Sequence, residues 1–176
     1  AAAFHRESFH RRHRDRRHVQ RTLDPTLAYR FACRVGMCGS CAMTVNGQAR
    51  WPCRTHVDKV VDGNRLEIAP LSNLPVIRDL ATDMREFFDK WKRAEGRFQG
   101  TATRHDEFAV VKPDSKERQA ASAGIECIGC GVCYASCDVV AWRPGFLGPA
   151  ALNRAWPRHG RAISTVSDGS SRCARE

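Results

Sequence analysis

Nine cysteines stand in a chain of 176 residues, and eight of them fall into two groups. Cys33, Cys38 and Cys41 follow the spacing C-x4-C-x2-C, and Cys53 comes after eleven intervening residues. That is the plant-type ligand pattern of a 2Fe–2S cluster, a compact group that needs three thiolates converging from one loop. Gly36 and Gly39 let such a loop fold tightly and turn amide hydrogens toward the sulfurs. Those donors stabilise the added negative charge of a reduced cluster. Structural zinc is the competing assignment, but it favours two separated pairs of ligands, whereas here three cysteines lie within nine residues.

The second group, Cys127, Cys130, Cys133 and Cys137, is spaced C-x2-C-x2-C-x3-C. This is the bacterial ferredoxin run for a 4Fe–4S cluster, except that Asp138 stands where proline usually follows. Gly129 and Gly131 again permit close backbone approach. In two-cluster proteins the first three cysteines hold one cubane and the fourth serves another cluster. Cys137 is therefore a ligand either of the 4Fe–4S cluster or of a second one. The ninth cysteine, Cys173, lies in a Ser/Arg-rich stretch and reads as a spare thiol.

The elements that must position these ligands can be read from pattern. Asn46-Gly47 between Ala42 and Trp51 predicts a two-residue type I′ hairpin, and counting outward from Val45 opposite Gln48 brings Cys41 opposite Pro52. Cys53 then arrives beside the first loop. A further strand is expected over Arg65–Ile68. Leu74, Ile77, Leu80, Met84, Phe87, Phe88 and Trp91 recur at spacings of three and four, predicting a helix over 73–96 with Asn73 as its cap, Pro75 in its first turn and Gly96 as its stop. Asp114-Ser115-Lys116-Glu117 opens a short helix by a capping box, and Pro149 starts another.

The fold class expected is α+β: a ferredoxin-like β-grasp 2Fe–2S unit with an incomplete N-terminal part, then a small α-helical ferredoxin-type domain. In order, the expected regions are a disordered basic arm at 1–23, the 2Fe–2S unit with a trailing helix at 24–96, a linker at 97–124, the 4Fe–4S domain at 125–156 and a disordered tail at 157–176. The net charge of +10 is concentrated at the ends. Residues 1–23 hold seven Arg against Glu7 and Asp15, and 157–176 hold four Arg against Asp168 and Glu176. The body is nearly balanced, which argues against a nucleic-acid-binding surface and against a zinc-containing nucleic-acid-binding protein. No run of eighteen apolar residues and no signal segment is present, so the cysteines are expected where thiols stay reduced.

These motifs together resemble the iron–sulfur subunit of succinate dehydrogenase and fumarate reductase. The likeness rests on the loop from Phe31 to Met43, on Leu71-Ser72-Asn73-Leu74-Pro75-Val76-Ile77-Arg78-Asp79-Leu80, and on Phe146-Leu147-Gly148-Pro149-Ala150. It covers residues 24–156. The resemblance implies an electron carrier between a flavoprotein (FAD) subunit and quinone at a membrane anchor or cytochrome b subunit, with no substrate chemistry on this chain. It implies a cytoplasmic place on the inner face of the cell membrane, held there by partner subunits, and no nucleic acid. Trp142 and Trp156 are candidates for the quinone end, with core packing as the expected role. An iron–sulfur subunit of a glycolate-oxidase-like or heterodisulfide-reductase-like complex is the alternative.

Both ends depart from the family pattern. The expected opening β-hairpin and short helix are missing from 1–23, and the third cysteine group that completes the 4Fe–4S and a 3Fe–4S cluster is missing from 157–176. The expectation is that both flanks are out-of-frame or degenerate translation of a longer coding sequence.

Overall fold

A computed structural model describes residues 2–5, 19–63, 65–96, 105 and 112–162. Four strands form one antiparallel sheet in the order β1-β4-β2-β3, where β1 is Ala2–His5, β2 Met43–Val45, β3 Gln48–Arg50 and β4 Arg65–Ala69. The β2–β3 hairpin has the anticipated register, with Val45 opposite Gln48. Asn46 and Gly47 both take positive φ, 46° and 74°, as a type I′ turn requires. Asn46 also binds the sheet: its Oδ1 accepts from Glu67 N at 2.8 Å, and its own amide donates to Glu67 O at 3.0 Å. Alternation along β2 and β4 buries Met43, Val45, Leu66 and Ile68 on one face, where Leu80 joins them.

Within the stretch expected to be an arm, β1 pairs with the edge of β4, Ala2 opposite Ile68 through His5 opposite Arg65. Residues 19–23 form a π-helical turn with Val19 buried. An open strand edge recruits extended backbone through main-chain hydrogen bonds, whatever the side-chain period, so composition did not announce this pairing. Residues 6–18 and 163–176 lie outside the described residues, as does half of the linker.

The helix expected over 73–96 begins only at Arg85. Val76–Arg78 (β5) and Ala81–Thr82 (β6) form a small hairpin before it, and helix α1 spans Arg85–Arg93. The turn at Asp79 has a φ of 47°, which no helix tolerates. Asp79 Oδ2 accepts from Ala28 N at 2.7 Å, and Leu80 N donates to Ala28 O at 3.1 Å, so the hairpin is fastened to the segment entering the first cysteine loop. Ile77, part of the supposed helical stripe, is 62% exposed. Asn73 caps nothing in α1, and the residue with positive φ after that helix is Glu95, at 50°, rather than Gly96. Gly96 instead meets the last long helix, where an added Cβ would stand 2.5 Å from Arg154 O.

Four further helices follow: α2 (Lys116–Ile125), α3 (Val132–Ala135), α4 (Asp138–Trp142) and α5 (Pro149–Ala162). Ser115 caps α2, its side chain accepting from Arg118 N at 3.2 Å, so the cap stands one residue on from the Asp114 that a box with Glu117 requires. Helix α5 runs into the stretch expected to be a disordered tail. The second core cluster, Leu71, Leu74, Phe87, Tyr134, Ala135, Val140 and Ala150, draws side chains from both sides of the linker. Phe87 packs edge-on to Tyr134 at 5.5 Å between ring centroids. The chain is therefore α+β, with one apolar core shared by the sheet-bearing and helical parts.

Candidate iron–sulfur centres

The first loop leaves the segment fastened at Ala28 and runs without regular structure until β2. Arg34, Gly36 and Gly39 take φ values of 66°, 78° and 67°, and these left-handed residues coil the chain around Cys33. The amides of Met37 and Cys38 each donate to Cys33 Sγ at 3.3 Å. The glycines provide the bend, and the amides aimed at the sulfur belong to Met37 and Cys38. An added Cβ on Gly36 would lie 2.9 Å from Arg54 Cγ, so the segment carrying Cys53 rests against this loop. Cys41 and Cys53 are buried, Cys33 is half-buried and Cys38 is exposed.

Ser40 was not anticipated. Its Oγ lies 3.0 Å from Cys38 Sγ. The hydroxyl of Ser40, ahead of backbone contributions, pulls the Cys38 thiol down from its ordinary value to about 6. The only sequence signal available was a hydroxyl two residues after a candidate ligand, which is too common to carry weight.

The second group sits on short turns. Gly129 and Gly131 have φ of 65° and 77°, and Gly131 is the residue from which α3 starts. Partial desolvation pushes the Cys133 thiol up, and the neighbouring Cys130 and Cys127 push it further in the same direction. Cys137 precedes α4, and its carbonyl accepts from Asn73 Nδ2 at 3.2 Å. The same Nδ2 lies 3.2 Å from the carbonyls of Tyr134 and Ala135, so Asn73 satisfies the end of α3 from across the chain. Beneath this turn Lys90 is only 3% exposed, with Nζ 2.8 Å from Tyr134 Oη and 2.9 Å from Glu86 Oε1.

The two groups touch. A Cβ on Gly39 would stand 2.8 Å from both Cα and Cβ of Cys130. Beside this contact, Cys38, Ser40, Gly129 and Cys130 line a cavity of about 340 Å³ that Arg30, Met84 and Phe88 also border. Trp142 and Trp156, expected in the core, are instead 76% and 63% exposed. Cys173 lies outside the described residues. Among the described residues no three His, Cys, Asp or Glu side chains close on the position of a single ion. A polynuclear cluster asks instead for thiolates spread over several irons. Four cysteines, two amides aimed at one sulfur and a hydroxyl at another suit a 2Fe–2S group in donor type and in charge.

Comparison with known proteins agrees with this chemistry. Residues 16–89 match the family of 2Fe-2S iron-sulfur cluster binding domains, and the match begins inside the expected arm. The fumarate reductase iron-sulfur subunit of Mycobacterium tuberculosis is 36% identical over 139 residues, covering 77% of this chain and 54% of the relative. That of Escherichia coli is 34% identical, covering 78% and 55%. The mitochondrial succinate dehydrogenase [ubiquinone] iron-sulfur subunit of Dictyostelium discoideum is 32% identical, covering 78% and 50%. Among solved structures, a chain of the Mycobacterium smegmatis Sdh1 complex in the apo form superposes with a TM-score of 0.65 at 28% identity, covering 77% of this chain and 57% of that one. The chain spans about half the length of the curated relatives it matches. Over about three quarters of its length the chain is similar to the iron–sulfur subunits of fumarate reductase and succinate dehydrogenase, and within that stretch it matches a 2Fe–2S cluster binding domain.

Proposed function

We propose that the chain is an electron-transfer subunit of a succinate dehydrogenase or fumarate reductase complex, passing electrons between a flavoprotein (FAD) subunit and quinone at a membrane anchor subunit. In this reading Cys33, Cys38, Cys41 and Cys53 hold a 2Fe–2S cluster. Cys127, Cys130 and Cys133 hold a 4Fe–4S cluster, and Cys137 completes it or serves a second cluster. The sheet-bearing residues 24–96 and the helical residues 125–156 are two modules of one wire. The complex sits on the inner face of the cell membrane through its partners; among the described residues no helix is long and apolar enough to cross a membrane.

The observation that carries the proposal is the contact of Gly39 with Cys130. Electron tunnelling falls steeply with distance, and a wire needs its stations side by side. The clusters supply the one-electron chemistry when bound. The chain's own residues do the rest: the Met37 and Cys38 amides and the Ser40 hydroxyl stabilise charge on the sulfurs, and burial of Cys41 and Cys53 keeps water from them.

The test is anaerobic reconstitution of the full chain with iron, sulfide and zinc analysis, and EPR of the reduced protein. A 2Fe–2S signal with iron and sulfide in the protein is expected, lost in Cys53→Ser. Zinc in place of iron and sulfide would sink the reading.

A further inference from the structure

Two kinds of donor face the sulfurs of the first loop, backbone amides and a side-chain hydroxyl, and they differ in what evolution can adjust. The amides that reach Cys33 Sγ belong to the backbone and persist under any substitution that keeps the fold. At Cys38 Sγ a side-chain hydroxyl joins the backbone groups. Its position is narrowly determined: Gly39, with φ of 67°, turns the chain back so that a hydroxyl two residues on meets the sulfur, and the backbone of Cys130 holds Gly39 in place. Cys38 is exposed, so without this hydroxyl its sulfur faces water, whose hydrogen bonds are mobile.

We propose that Ser40 is a positioning residue that sets the reduction potential of the centre held by Cys33, Cys38, Cys41 and Cys53, by donating its hydroxyl hydrogen to Cys38 Sγ. The inference rests on the 2Fe–2S reading above. A metal-bound cysteine is a thiolate, which only accepts, so Ser40 Oγ must be the donor. Reduction adds one electron to the cluster and breaks no bond; the proton stays on the Ser40 oxygen. The hydrogen bond strengthens as negative charge on the sulfur grows, so it favours the reduced state and raises the potential.

The experiment is a redox titration, with dithionite as reductant and EPR as readout, of the full chain reconstituted with iron and sulfide. Ser40→Ala is expected to shift the midpoint to more negative potential. Ser40→Thr, which retains the hydroxyl, is expected to recover most of the shift, and Ser40→Val, its isostere without one, none. Equal midpoints in wild type and Ser40→Ala, or in Ser40→Thr and Ser40→Val, overturn the proposal. If the Ala and Val variants take up no cluster while Thr does, the hydroxyl serves holding rather than tuning, and the proposal is likewise overturned. A wild-type chain that takes up no 2Fe–2S cluster defeats the functional reading itself, a different result from an unshifted midpoint.

Discussion

The residue that best shows how the two cysteine groups are tied together is Lys90. Burial alone pulls its ammonium pKa down, but the hydrogen bonds to Tyr134 and Glu86 outweigh this and raise it. Tyr134, in turn, is buried and follows directly on Cys133. A group whose pKa is raised on folding contributes stability below its unfolded value and loses it only as the pH climbs through the raised one. The contribution of Lys90 is therefore intact at neutral pH. Replacing Lys90 with Ala removes a charged hydrogen bond to a buried hydroxyl and the packing of a four-carbon stem. The expected loss is about 2–3 kcal/mol in urea unfolding of the full chain at pH 7. A loss under about 0.5 kcal/mol, the usual range for a surface change, would show that this network does not hold the two parts together. Ser40 belongs to the same scale: one hydroxyl, invisible to pattern reading, meets the Cys38 sulfur only because the loop is coiled.

At the scale of elements, residues 73–84 are where pattern misled. Spacings of three and four between apolar residues fit a helix, but they also occur by chance across a turn, a short hairpin and a helix start. Here Leu74 and Leu80 are buried in two different core clusters while Val76 and Ile77, in the hairpin between them, are exposed. Two residues at positive φ, Asn73 and Asp79, break any helical course, and both are polar side chains serving distant partners. The start of α1 is marked by Asp83, whose carboxylate accepts from Arg85 N at 2.9 Å and from its guanidinium. That pairing with the Arg85 side chain, followed by the amide, holds the Asp83 carboxyl below its ordinary value. A depressed carboxylate contributes stability above its unfolded pKa and loses it as the pH falls through the folded one. Asp83→Asn is thus expected to lower the melting temperature at pH 7, with the gap to wild type closing as the pH drops below about 3.8, the ordinary Asp value. A gap that is constant across that range would assign the effect to shape rather than charge.

At the scale of the whole molecule, the decisive feature is that the parts before and after the linker share one core and one contact between cysteine groups. Gly39 and Gly47 have nearly the same left-handed backbone, but a Cβ on Gly47 meets nothing within 4 Å while one on Gly39 meets the Cys130 backbone. Alanine at either position pays about 1 kcal/mol in backbone strain. Alanine at 39 adds about 1–3 kcal/mol of overpacking. Denaturant unfolding should therefore rank Gly39→Ala well below Gly47→Ala in stability. Equal losses would mean that the two cysteine groups do not press on each other in solution.

The sequence by itself singled out the eight candidate ligands, the hairpin that returns Cys53, the helix starts near Ser115 and at Pro149, and the α+β class. Each of these is local, written in spacing, turn chemistry or a capping side chain. Only the tertiary structure decided that Ala2–His5 pairs with β4, that α1 starts at Arg85, that Trp142 and Trp156 face outward, and that Gly39 lies against Cys130. These depend on which surfaces meet after folding, and neither main-chain pairing at a sheet edge nor the approach of two distant loops leaves a periodic mark in the residues that make it.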